Sequence, residues 1–209
     1  DQYLTIWEFT HQENWRARIT WEVSPQAMQA YEAVASMEKE ELLALAQRGI
    51  SKKSRVQPST WEDEGWNSPN QPVTGLTWFE ARAYCAWISE MTGKALRLPD
   101  EFEWEAAARG LEGRLYPWGR EWDPAKANTL EGRVQRPSPV GAYAAAQGLG
   151  PGGMEDQAGN VWEWTESRYR ENYLEVEVRP PGPDEEGLRV LRGGSWLNSH
   201  WLARCASRI

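Results

Sequence analysis

The chain has 209 residues, enough for one domain with a substantial core or one domain carrying a large elaboration. Its 23 basic against 31 acidic side chains give a net charge of −8, and the absence of a basic stripe argues against a nucleic-acid partner. No apolar run approaches the ~18 residues that a membrane span needs, no signal peptide follows Asp1, and two cysteines, Cys85 and Cys205, are too few for a disulfide framework.

Residues 1–22 are rich in Trp, Thr and Ile and predict strand structure. From Ser24-Pro25 the pattern turns helical, with Ser24 able to cap, Pro25 suited to the first helical position, and Ala27, Met28, Tyr31, Val34 and Ala35 on one face. A second helical piece is predicted from Met37 to Arg48, stopped by Gly49. Ser51 to Asn70 lacks a period and reads as a loop pinned by Trp61 and Trp66. Thr77 to Met91 is the clearest helix: Thr77 and Glu80 form a capping box, Ala81, Tyr84, Cys85, Ile88 and Met91 form its stripe, and Gly93 ends it. A second box, Asp100 with Glu103, opens a helix closed by Gly110, whose Glu101, Glu103 and Glu105 are expected to cap it and anchor arginines. Beyond Tyr116-Pro117-Trp118-Gly119 the chain is loop-rich, with strands predicted at Val161–Glu166, Arg189–Arg192 and about Leu202–Arg208. The predicted class is α+β, with two or more helices on a twisted, mostly antiparallel sheet. Trp61, Trp66, Trp78 and Trp104 are expected in the core, a carbohydrate platform being the alternative.

The last segment departs from these regularities. After Arg192-Gly193-Gly194-Ser195-Trp196, only Arg204, Ala206 and Arg208 keep an every-second-residue rhythm. Leu197, Asn198, Ser199, His200, Trp201, Leu202, Cys205, Ser207 and Ile209 follow no hydrophobic pattern. A fixed frame with arbitrary contents predicts that the contents are displayed. For Trp201 and Leu202 the alternative is a place in the core of the last strands.

Several motifs recur in a fixed order: Pro72-Val73-x-Gly75-x-x-Trp78, Arg97-Leu98-Pro99-Asp100-Glu101-x-Glu103-Trp104-Glu105, Tyr116-Pro117-Trp118-Gly119, Ala127-Asn128, Pro139-Val140-Gly141, Asp156-x-x-Gly159-Asn160-Val161-Trp162-Glu163-Trp164 and Arg189 to Trp196. Over about residues 66 to 208 this series resembles the formylglycine-generating-enzyme/sulfatase-modifying-factor family, whose fold is a variant of the C-type lectin fold. The resemblance implies one domain over 1–209, with 1–65 as a strand-plus-helix elaboration of the core at 66–209. It also implies that the enzymes of the family bind copper(I) through two cysteines beyond the Gly-Gly-Ser-aromatic turn, soft thiolates suiting that ion. Those positions fall at Asn198 and near Ala203, so no copper and no formylglycine-generating activity are expected. Cys205 matches a structural cysteine of secreted members, whose partner falls at Ala108.

A second branch is a better match. Gly-Gly-Ser-Trp, seven residues, then Arg-x-Ala-x-Arg resembles the variable region of diversity-generating retroelement target proteins, in which template adenines are copied inaccurately. Mutating the adenines of AAC reaches Leu, Asn, Ser, His, Cys and Ile, and Trp201 is reachable from AGG. The resemblance implies a non-enzymatic binding protein whose ligand is a protein or cell-surface molecule, encoded by a bacterium or prophage and displayed at the cell surface, with its pattern continuing past Ile209. The contrasting reading is a sulfatase-modifying-factor-like enzyme, or an accessory domain, with a different active site.

Asp156, Gly159, Val161 and Glu163 lie where family members bind calcium, two carboxylates and two carbonyls supplying hard oxygen ligands; the alternative is a satisfied turn with Glu163 paired to an arginine. Two histidines, and no His-Glu-x-x-His or Cys-x-x-Cys spacing, predict no zinc site. An arginine excess and 13 prolines hint at a thermophilic source.

Overall fold

The computed structural model describes residues 10–18, 25–41, 57–173 and 187–209, and the chain divides into two compact units, 1–57 and 58–209. In the first unit, α1 (Trp15–Arg18) follows a turn at Asn14 with φ of +58°. This helical turn corrects the strand expected over residues 1–22. Strand propensity is context-dependent, and here the Trp15 and Ala17 amides bond locally to Gln12 and Asn14. The rest of that expectation, residues 1–9 and 19–22, lies outside the described residues. The predicted helix appears as α2 (Pro25–Ala35), with Val34 buried and Trp15 edge-on to Tyr31 at 6.5 Å. Of the piece expected from Met37 to Arg48, residues 39–41 are helical and those beyond 41 are not described.

The second unit is built on two capped helices and a short sheet. α3 (Trp78–Thr92) starts at Thr77 with its capping box complete and ends at Gly93 in the left-handed conformation. Trp78 roots it: the indole donates to the Thr165 carbonyl at 2.9 Å, and Arg189 lies 3.9 Å over the ring. Ala81, Cys85 and Ile88 of the expected stripe are half-buried, but Tyr84 and Met91 are exposed at 58% and 68%. The burial is centred on the Trp78 end of the helix rather than spread along its length.

In α4 (Glu101–Arg109) the Asp100 carboxylate accepts from the Phe102 and Glu103 amides, while Glu103 reaches back to the Asp100 amide. Two Arg97 nitrogens lie 2.6 Å from Glu103, and this pairing, with the backbone bond, holds its carboxyl down at about 2. β1 (Glu163–Arg168) and β2 (Arg189–Arg192) pair antiparallel, Glu163 opposite Arg192, with an irregularity between Trp164 and Arg168. β1 thus lies two residues later than predicted, while β2 has the predicted bounds. Trp78 and Trp104 are core residues at 4% exposure, Trp66 is half-buried, and Trp61 is exposed, which corrects its expected burial.

The strand expected at Leu202–Arg208 is not formed. Leu202, Ala203 and Ser207 donate to carbonyls three residues back, so the segment is a chain of turns. Its remaining strand-like feature is one antiparallel bridge between Arg192 and Arg208.

Arg192 ties α4 to this segment. Fully buried, it donates to the carbonyls of Cys205 and Ser207 and reaches Glu101 at 3.2 Å and Glu105 at 3.0 Å. Arg192→Met is expected to cost about 3–5 kcal/mol, because it leaves the buried Glu101 carboxylate with less compensation. Chemical denaturation checks this; a cost under ~1 kcal/mol would show that the cluster does not hold the fold.

Candidate functional site

The terminal segment is held mainly through its backbone, with side-chain bonds between Asn198 and Ser195 and from Ser207 to the Trp201 carbonyl added to it. Trp196 N donates to the Asn160 carbonyl at 3.0 Å, Leu130 N to Asn198 O at 3.0 Å, and Cys205 N to Leu115 O at 2.9 Å. Leu191 and Ile209 exchange two backbone bonds, 2.9 and 3.2 Å. Gly194 permits the fold-back: at φ +77°, a Cβ there would lie 3.0 Å from the Leu202 carbonyl oxygen. Trp196 packs edge-on against Trp66 at 5.7 Å. None of the backbone bonds requires a particular side chain at the positions predicted to vary.

Exposure sorts those positions. Leu197 at 37%, Trp201 at 47% and Ile209 at 37% are open to solvent, so Trp201 is not a core residue. Asn198, His200, Leu202 and Ser207 are half-buried. Ser199 and Cys205, at 1% and 0%, are buried, which corrects the expectation that the whole set is displayed. The turns send Ser199, Ala203 and Cys205 inward, and Cys205 packs with Trp104 and Ala108. Of the expected frame, Arg208 is well anchored, 4.3 Å over Tyr173 and 3.5 Å from Glu101. Arg204 instead lies over Trp201 and bonds its carbonyl. Ala206 is exposed, so burial does not account for its place in the frame.

His200 is engaged by a residue that the sequence reading missed. Glu131 accepts from the His200 amide at 2.9 Å and lies 2.7 Å from Nδ1 of its ring, while Thr129 donates to the same carboxylate. Burial pushes the Glu131 carboxyl up, but these hydrogen bonds outweigh it and leave it below the usual range. Nothing in the spacing of Glu131 announces this contact. Tyr116-Pro117-Trp118-Gly119, in contrast, is visible in the sequence as a motif. It puts Tyr116 and Trp118 in parallel rings 5.5 Å apart, beside Trp122.

The copper positions do not fit copper. Asn198 and Ala203 carry no sulfur, Ala203 is fully buried, and burial pushes the nearby Cys205 thiol up to about 12. The calcium positions are different. Glu163 accepts from the Trp104 indole at 2.7 Å rather than pairing with an arginine, and burial, helped by the charge of Asp156, raises its carboxyl to about 7. Asp156 accepts from the Gly141 amide at 2.7 Å, and its carboxyl is also raised, by burial and then by Glu155. Gly159 is buried and Val161 half-buried on the same turn. Glu163 lines a pocket of about 500 Å³ with Trp104 and Gln157, and the buried Gln157 Oε1 has no hydrogen-bond partner. Glu103 caps α4 and pairs with Arg97, while Glu101 and Glu105 take no part in the cap and serve as arginine partners, Glu101 to Arg192 and Arg208 and Glu105 to Arg192 and Arg109.

Two capped helices, a short antiparallel sheet and a turn-rich end bonded to α4 through Arg192 define the C-type-lectin-like fold of the formylglycine-generating-enzyme type, a loop-rich α+β class. The Sulfatase-modifying factor enzyme 1-like domain matches residues 8–209, and the chain belongs to that family. Its relatives include the inactive Cα-formylglycine-generating enzyme 2 of Bos taurus, 37% identical over 61% of this chain and 39% of that protein. The hercynine oxygenase of Mycolicibacterium thermoresistibile is 37% identical over 66% of this chain and 34% of that protein. The chain therefore spans about two-fifths or less of the length of these relatives. Among solved structures it is similar to PvdO from Pseudomonas aeruginosa, with a TM-score of 0.57, 29% identity and coverage of 68% of this chain and 56% of that one. Treponema denticola variable protein 1 shares the fold, with a TM-score of 0.56, 22% identity and coverage of 67% and 65%. No helix of the described residues is long and apolar enough to cross a membrane.

The two thiols should differ in reactivity. Half-buried Cys85 is expected to react slowly with a disulfide reagent in the native protein, and Cys205 only when the fold opens. Counting titratable thiols with and without denaturant checks this; rapid native labelling of Cys205 would contradict its burial.

Proposed function

We propose that this chain is a non-catalytic binding protein that displays a diversified surface at its C-terminal end, of the diversity-generating retroelement type. The observation that carries this reading is the separation of roles within residues 197–209. Backbone bonds and Arg192 hold the path of the segment, while Leu197, Trp201 and Ile209 face solvent. A rigid scaffold with replaceable side chains is what an adaptable binding surface needs, and Trp, Leu, His and Asn together mix apolar anchors with polar contacts. The ligand is a protein or cell-surface molecule. The family includes enzymes, but here the copper positions offer an amide and a methyl group, so we expect no copper-dependent oxygen uptake with a Cys-x-Pro-x-Arg peptide.

Sequencing the 3′ end of the gene across isolates tests the reading. Substitutions should concentrate at Leu197, Asn198, His200, Trp201, Leu202, Ser207 and Ile209, with Trp196, Arg204 and Arg208 constant. At Ser199 and Cys205 the surviving residues should be small, because a larger side chain would overpack the core at a cost of about 1–3 kcal/mol. An invariant segment would sink the idea.

The same reading includes a structural calcium ion held by the carboxylates of Asp156 and Glu163 with the carbonyls of Gly159 and Val161. Support comes from two carboxyls raised together in a place where the hydrogen-bond donors are an indole and one amide. When bound, the ion supplies the positive charge that lets both ionise. Without it, the folded state holds the Glu163 proton more tightly than the unfolded chain does, so stability falls as pH rises from about 4.5 to about 7. Calcium at ~100 times its Kd should raise Tm at pH 7.5 by about 5–10 °C. The gain should shrink at pH 5 and disappear in Glu163→Gln. An unchanged melting curve would rule the ion out.

A further inference from the structure

Beside the terminal segment, residues outside it form a run of rings that leads directly into it. Tyr116 and Trp118 are parallel, 5.5 Å apart, and Trp118 meets Trp122 at 5.6 Å. Trp122 stacks on His200 at 5.1 Å, and His200 meets Trp201 at 4.7 Å in a tilted arrangement. The run is supported from beneath, Trp118 and Trp122 packing against the buried Ala127, Ala158 and Ala203. The Trp118 indole is further fixed by donating to the Glu121 carbonyl at 2.9 Å. Both tryptophans remain only half-buried, and the last ring, Trp201, is 47% exposed.

Arg204 closes this run. Its guanidinium lies 5.3 Å from the Trp201 ring centre, and its Nε donates to the Trp201 carbonyl. It makes no ion pair with any described residue. Of the acidic groups near these rings, Glu131 is taken up by Thr129 and His200, and Asp123 pairs with Lys126 at 3.7 Å; among the exposed charges that flank Trp122 and Glu131 in sequence, Glu121 is outnumbered by Arg120 and Arg133. A chain of net charge −8 therefore presents uncompensated arginine beside its displayed rings.

From this we infer that the binding face extends beyond the variable positions onto a constant shelf of Trp118 and Trp122, and that with Arg204 at the rim it takes an acidic protein segment bearing apolar side chains. The inference rests on the binding reading above and adds to it the chemistry of the partner. Buried or half-buried tryptophan with arginine is the composition that concentrates binding energy at protein interfaces. Charge complementarity assigns the carboxylates to the partner. Neighbouring rings are tilted, Trp118 to Trp122 by 48° and His200 to Trp201 by 36°. The shelf is thus corrugated, suited to interdigitating side chains, where a sugar would ask for one flat ring face.

The test is to pan a displayed random-peptide library on the intact chain and measure the enriched peptides against variants. Enriched peptides should combine Asp or Glu with aromatic or aliphatic residues, and bind more weakly as salt is raised. Trp122→Ala and Arg204→Gln should each weaken them about tenfold or more, with Arg204→Lys recovering part of the loss. Thermal melting controls for folding; should Trp122→Ala fail to fold, Arg204→Gln and Trp118→Phe carry the comparison. Peptides that need Leu197 and Trp201 but ignore Trp122 and Arg204 would overturn the shelf while leaving the display reading intact. Peptides indifferent to Leu197 and Trp201 would overturn the display reading itself. Enrichment without acidic residues, or retention on a glycan array with no peptide enriched, would overturn the assigned partner chemistry.

Discussion

One buried guanidinium sets the terms for the rest of the second unit. Arg192 leaves β2, crosses under Trp104, and spends its donors on two kinds of acceptor: the carboxylates of α4 and the main-chain carbonyls of residues 205 and 207. A buried charge is tolerable only when matched and hydrogen-bonded, and Glu101 meets that need by being equally buried and by also receiving Tyr173 and Arg208. The capping of α4 by Asp100 is part of the same arrangement, because it fixes the first helical turn, from which Glu101 projects. Helix start, strand end and residues 205–208 are thereby coupled through one cluster, which is how residues 202–208 keep their path with a single bridge.

Around that cluster, the fold divides polar from apolar duty unevenly. Tryptophan serves as core, as hydrogen-bond donor and as display. Trp78 and Trp164 donate to the carbonyls of Thr165 and Leu76, Trp104 donates to Glu163, and Trp201 faces water. Among the described residues, the indoles of Trp78, Trp104, Trp118 and Trp164 each cover a large area and pin a carbonyl or carboxylate with the N–H, which helps order the loops around the short sheet.

Much of this was legible in the sequence. The two capping boxes located α3 and α4 to within a residue, because a cap is a local chemical pattern whose partners lie three residues apart. The ordered motifs indicated the family and hence the fold. The terminal segment was legible as a frame with variable contents, but not its shape: an every-second-residue rhythm suggests a strand, whereas the local hydrogen bonds favour turns. That difference sent Ser199 and Cys205 inward. The contact between Glu131 and His200 spans 69 residues, and the stacking of Trp122 on His200 a comparable stretch. Neither has a local signature, since a tertiary contact between loops leaves no period.

The way Arg192 grips the terminal segment has a consequence for how such a surface can evolve. Every residue type offers the same carbonyl, so the grip registers position along the backbone and ignores identity. Changes of letter at the exposed sites leave the two accepting oxygens where they are. A change of count between Trp196 and Cys205 moves both oxygens out of reach and uncovers the charge beneath. The surface is free in spelling and strict in length, a constraint that suits a diversification process working by base replacement and would penalise one working by insertion or deletion.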